Sequence, residues 1–176
     1  MTTAPAPAPA GSTPRASRPI AADLPMLAGF LALCFGVAAL GGWWTAEGVG
    51  TWYRTLRKPS WNPPNWVFGP VWTALYTMMA VAAWLVWRRR HEARVGPALA
   101  LFAVQLALNL AWSGLFFAMR RPDLGAIDIA ALWAAILATT VAFARVRPVA
   151  GALLVPYLLW VSYAGALNVA LWRLNP

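Results

Sequence analysis

The 176-residue chain is poor in the side chains that bind metals most often: it has one cysteine, one histidine and five acidic residues. Cys34 sits in a long apolar run and His91 in an arginine-rich stretch. A zinc or haem iron held by protein ligands needs several such groups converging, so a metal site is excluded. A single cysteine also rules out a disulfide within the chain and leaves the redox compartment unread. There is no glycine-rich phosphate loop and no Ser/His/Asp set, hence no conventional enzyme site. Charge is scarce too. Charged residues make up 11% of the chain and hydrophobic ones 61%, whereas a soluble domain is about a quarter charged.

What is abundant is uncharged sequence. A bilayer core about 30 Å thick takes roughly 20 helical residues to cross. Five stretches qualify: 24–42, 66–87, 97–119, 124–144 and 149–172, with Asp128 the single charge among them. They are apolar all round, unlike the two-faced helices of a soluble core. The expected fold is therefore all-α, an integral membrane bundle of five transmembrane helices over residues 23–176. Residues 1–22 open with alternating Ala and Pro and read as a disordered tail. The first apolar run is longer than an ordinary signal core and four spans follow it, so it is expected to stay as a helix.

Lys and Arg cluster between spans. The tail, residues 88–96 and residues 145–148 hold eight; the 43–65 connection, 120–123 and the end of the last span hold six. The positive-inside rule thus tips the N-terminal side toward the cytoplasm, and a bacterial inner rather than outer membrane is expected. The net charge of +9 lies at span ends, where cations meet lipid headgroups. No nucleic-acid partner is implied.

Patterns within the spans are more specific. Ala103, Ala107 and Ala111 form a small-residue ribbon on which another helix can pack closely. Gln105, Asn109 and Ser113 recur at the same interval two residues on, about 200° around the helix. The ribbon is thus a candidate dimer interface. The polar stripe faces inward, as interhelical glue or as the wall of a ligand or water cavity. Trp72, Tyr76, Met79 and Ala83 share one face of the second span, and Tyr157, Trp160, Ala164, Leu167 and Leu171 one face of the fifth. Tryptophan normally gathers at the membrane–water interface, yet Trp72, Trp112, Trp133 and Trp160 fall inside spans.

The stretch KPSWNPPNWVFGPVWTALY, residues 58–76, packs three tryptophans, four prolines and two asparagines ahead of the second span. Pro59, Pro63 and Pro64 stiffen the end of the 43–65 connection, which reads as a preformed lid. Asn62 is placed to cap the second helix, and Pro70, about two turns in, to kink it.

Three segments, WYRTLRKPSWNPPNWVFGPVWTALY at 52–76, ALNLAWSGLFF at 107–117 and VPYLLWVSYAGALN at 155–168, resemble the TspO/MBR family of tryptophan-rich sensory proteins, which includes the mitochondrial translocator protein or peripheral benzodiazepine receptor. The resemblance covers nearly everything after the tail. It implies a five-helix bundle, commonly a homodimer, that binds tetrapyrroles such as protoporphyrin IX and haem as ligands, with no obligatory cofactor. It places the ligand pocket beneath the first long loop. Carried onto this chain, the pocket takes Tyr53, Trp61 and Pro63 from the loop, Trp72 from the second helix, Asn109 and Trp112 from the third, and Trp160, Ala164 and Leu167 from the fifth.

Arg54, Arg57 and Lys58 are candidates to meet the propionates of such a ligand, or else lipid phosphates. In some bacterial relatives the tryptophans matching Trp72 and Trp160 are linked to light-dependent porphyrin breakdown. The sterol motif of animal members is incomplete, because Val169 stands where they carry tyrosine. Asp128, about one turn into its span, is either an acid placed at a helix N-terminus or a mark of a small proton-coupled transporter. Porphyrin sensing, sequestration or transport is the expected role, with light-dependent degradation and proton-coupled export as alternatives.

Overall fold

The computed structural model describes residues 23–176, so the tail expected over 1–22 lies outside the described residues. Among these residues there are helices and no strands: α1 (Leu24–Gly50), α2 (Trp52–Thr55), a 3₁₀ turn (Asn65–Val67), α3 (Phe68–Trp87), α4 (Gly96–Ser113), α5 (Pro122–Val146), α6 (Pro148–Ala152) and α7 (Val155–Leu174). Five helical stretches are long and apolar enough to span a membrane, at Leu24–Gly50, Asn65–Trp87, Gly96–Ala118, Pro122–Val146 and Pro148–Leu174. Proline occupies the first turn of α1, α4, α5, α6 and α7, where its missing N–H has no helical acceptor to lose.

The first helix runs eight residues beyond the expected end of its span, so the lid connection is shorter than 43–65. The extension is held by packing. A Cβ on Gly48 would lie 2.8 Å from the Phe117 ring, and one on Gly114 would lie 3.4 Å from Trp44. A side chain at position 48 would force α1 and the end of α4 apart, whereas the contact at Gly114 is an ordinary van der Waals one. The Thr45 hydroxyl adds a bond to the Gly41 carbonyl at 2.8 Å.

The second span also differs from expectation. Its α-helix starts at Phe68 after the 3₁₀ turn, which puts Pro70 in the first turn, where backbone N–H groups are unpaired anyway. Pro70 therefore has no interior helical bond to break and no cause to kink the helix. Asn62 is not its cap: Pro64 flanks the turn, while Asn62 accepts a bond from Tyr53. The last span is two pieces, α6 and α7, joined at Leu153–Leu154 ahead of Pro156. A Cβ on Gly151 would lie 2.6 Å from that of Ala144, so α6 rests almost on the backbone of α5.

Helix α4 ends in a π-helical turn, Gly114–Ala118, closed by the Met119 N–H on the Gly114 carbonyl at 2.8 Å. The extra residue in that turn turns Phe116 and Phe117 into a small second core with Tyr53, Leu167 and Leu171. The main core lies deeper and includes Met79, Phe102, Leu132, Ile136 and Tyr157. At the end remote from this second core, Asp23 is 4% exposed and pairs with Arg88 at 3.1 Å and Arg90 at 3.8 Å. Its carbonyl accepts the Trp84 indole N–H at 2.9 Å. A buried carboxylate so paired fixes the start of α1 against the end of α3.

Candidate functional site

The polar stripe and the alanine ribbon of α4 do lie on opposite sides. Gln105 and Asn109 are buried, while Ala103 and Ala107 are exposed and Ala111 is half-buried. Asn109 joins three helices. The Tyr76 hydroxyl donates to its Oδ1 at 2.5 Å, and its Nδ2 donates to the Tyr157 hydroxyl at 2.9 Å. One amide thus satisfies two buried phenols from α3 and α7. Nearby, the Trp112 indole donates to Asn168 Oδ1 at 2.9 Å, and Asn168 Nδ2 donates to the Pro122 carbonyl at 2.7 Å.

Between this network and α1 lies a cavity of about 530 Å³, within the range of about 300–1,000 Å³ common for small-molecule sites. Its wall includes Tyr53 from α2, Phe68, Trp72 and Tyr76 from α3, Asn109, Trp112, Ser113 and Phe117 from α4 and its π turn, and Trp160 and Ala164 from α7. Among the described residues no charged side chain lines it. Trp72 lies 5.6 Å from Tyr76 and 6.2 Å from Tyr157, and Trp160 meets Phe68 edge to face at 5.9 Å. The Trp160 indole nitrogen is buried without a hydrogen-bond partner among the described residues.

Six of the nine residues carried over as a pocket therefore share one wall: Tyr53, Trp72, Asn109, Trp112, Trp160 and Ala164. The other three lie behind or above it. Leu167 belongs to the second core. Trp61 packs on Tyr163 at 5.7 Å, which packs in turn on Trp160 at 5.7 Å. Pro63 follows Asn62, whose Nδ2 donates to the Pro63 carbonyl at 3.0 Å.

The three candidate cations are also off the wall. Lys58 Nζ donates to the Leu56 carbonyl at 3.1 Å and sits 4.8 Å over the Tyr53 ring, so it is occupied in shaping the loop. Arg54 and Arg57 are exposed. Asp128 has one buried carboxylate oxygen without a partner among the described residues; Arg121 pairs with Asp123 at 2.6 Å.

One wall was not foreseen. Helix α1 supplies Phe35, Ala38, Ala39, Gly41, Gly42, Thr45, Ala46 and Val49. The small residues recur every three to four positions, a helix-face spacing, and that was the available signal. The 3₁₀ turn adds Asn65, and the start of α3 adds Gly69 and Thr73.

A bundle of five membrane-length helices around an aromatic-lined cavity defines a helical membrane protein. The chain belongs to the TspO/MBR family, whose model matches residues 30–173. It is 48% identical to the tryptophan-rich protein TspO of Chlorobaculum tepidum, over 83% of this chain and 93% of that protein. It is 45% identical to the human translocator protein, over 70% and 75% respectively. Protein CrtK of Rhodobacter capsulatus is 43% identical, over 72% and 80%. The chain is an integral membrane protein of this family.

Proposed function

We propose that the cavity binds tetrapyrroles, protoporphyrin IX or haem, in porphyrin sensing, sequestration or transport, in a bacterial inner membrane. The observation that carries the reading is a wall of Trp72, Trp112, Trp160, Phe68 and Phe117 with no charged side chain on it. A planar macrocycle gains from aromatic faces and from apolar burial, and its propionates would have to emerge toward the loop that carries Arg54 and Arg57. Ala103, Ala107 and Ala111 are the proposed face for a second copy.

The test is titration of the chain in lipid nanodiscs with protoporphyrin IX, read by tryptophan fluorescence. Saturable quenching is expected, and it should be lost in Ala164→Trp, which fills the cavity from α7. Equal quenching in that variant would place the pigment elsewhere. A second reading, light-dependent porphyrin breakdown, is favoured by Trp72 and Trp160 standing on the same wall. Illumination of the complex should then yield new pigment absorbance that Trp160→Phe suppresses.

A further inference from the structure

Hydroxyls inside a membrane bundle need partners, because lipid supplies none. Along the spans the common solution is local: Thr45, Thr73, Thr77, Thr139, Thr140 and Ser162 each donate to the backbone carbonyl four residues back, at 2.7–2.9 Å. Ser113 departs from this habit. No hydrogen bond from its hydroxyl is found among the described residues, and it does not cap the π turn that begins at the next residue. Turns of that kind often mark functional sites.

Ser113 stands on the cavity wall. The other hydroxyls of that wall are spent on the protein: Thr45 on the Gly41 carbonyl, Tyr53 on Asn62, Thr73 on the Gly69 carbonyl and Tyr76 on Asn109. That of Ser113 is left for an occupant. Facing it on α1 is Gly41, where a Cβ would lie 3.1 Å from the Ser113 Oγ. Glycine there leaves the hydroxyl uncovered. Four residues past Asn109, Ser113 is about one helical turn nearer the end of the bundle where the Tyr53 and Phe117 rings pack at 6.0 Å. That is the end at which ligand propionates would emerge. The side chains around it are mostly aromatic and aliphatic, so this one hydroxyl sets where an oxygen atom on an otherwise apolar ligand is accepted.

We propose that Ser113 is a specificity-determining residue: its hydroxyl donates a hydrogen bond to a carbonyl or carboxyl oxygen at the rim of a flat apolar ligand, and the cavity thereby prefers such ligands to hydrocarbons of the same shape. The inference deepens the tetrapyrrole reading and, where the ligand is a porphyrin, rests on it. Titrations in nanodiscs compare protoporphyrin IX, its dimethyl ester, and etioporphyrin, whose rim carries only alkyl groups. Ser113→Ala should weaken the first two by roughly three- to tenfold, the scale of one hydrogen bond, and leave etioporphyrin unchanged. The ester keeps the carbonyl oxygens without the charge, which separates Ser113 from Arg54 and Arg57. Gly41→Ala, whose methyl crowds the hydroxyl, should show the same selective loss. Equal change for all three pigments in Ser113→Ala, or no change for any, would overturn the assignment.

The ligand-free chain supplies a second readout. A hydroxyl kept for a ligand leaves the melting temperature of Ser113→Ala at or above the wild-type value, since alanine also favours helix. A lowered melting temperature would mean that the hydroxyl serves the fold, and would overturn the proposal. If no porphyrin binds saturably, the tetrapyrrole reading fails by itself, and pyrenecarboxaldehyde compared with pyrene decides Ser113. Selective loss of the aldehyde in Ser113→Ala supports the proposal; equal affinity of wild type and Ser113→Ala for the aldehyde overturns it.

Discussion

The Tyr76 hydroxyl and the Asn109 carboxamide meet at 2.5 Å in the middle of the bundle, and the same amide reaches Tyr157 on the opposite helix. Three spans are thereby fixed around one side of the cavity. Replacing Asn109 by Leu removes both bonds and leaves two buried hydroxyls unpaired. The expected cost is about 1–3 kcal/mol, read as lowered thermal stability in detergent. Tyr76→Phe together with Asn109→Leu should recover part of it, because fewer polar atoms remain unsatisfied.

Glycines of α1 separate by position. Gly48→Ala puts a methyl 2.8 Å from the Phe117 ring, and overpacking of this kind typically costs about 1–3 kcal/mol. Gly29 has no atom within 4 Å of the site of its Cβ, so Gly29→Ala should be neutral or stabilising by up to about 1 kcal/mol, the usual helix preference for alanine. Equal melting temperatures for the two variants would mean that α1 is not seated on Phe117.

Tyr53 gives a pH dependence. Burial pushes its hydroxyl up to about 12, the bond to Asn62 acts the other way, and nearby Tyr163 adds to the rise. The folded state therefore favours the neutral form over an unfolded chain with the ordinary value near 10. That stabilisation is complete below about pH 10 and is lost as pH rises through 12. Loop hydrogen exchange, corrected for its intrinsic pH dependence, should be flat from pH 6 to 9 and rise above pH 10. Tyr53→Phe should show a faster loop at neutral pH and no further rise from this residue.

The exposed alanines of α4 give an assembly test. Ala107→Leu should drive two copies apart and shift detergent-solubilised protein toward monomer, measured by light scattering. Leu substituted at Ala126, on α5, serves as the control and should leave the distribution unchanged. An unaffected dimer in Ala107→Leu would move the interface off α4.

Much of the architecture was legible in the sequence because membranes impose it. Apolar runs of about 20 residues give the five spans directly. The inward turn of Gln105 and Asn109 against the outward Ala103 and Ala107 follows from a two-residue offset and the cost of showing amides to lipid. What was hidden depends on partners distant in sequence. That α1 continues to Gly50 is decided by the fit of Gly48 against Phe117, which no local pattern states.

The α1 wall of the cavity was missed because Ala38, Gly42 and Ala46 act by being small, and small residues carry little signal on their own. Lys58 looked free for a ligand, yet it is held by the carbonyls of its own loop. Pro70 lost its expected kink once a 3₁₀ turn took the place of the first helical residues.

The most direct test of cavity binding compares two double variants in protoporphyrin IX titrations. Trp72→Phe with Trp160→Phe changes the wall, whereas Trp133→Phe with Trp172→Phe changes two exposed indoles. Affinity should fall at least tenfold in the first pair and stay at the wild-type value in the second. Wild-type affinity in the first pair with loss in the second would put the pigment on the lipid-facing surface and contradict binding inside the bundle.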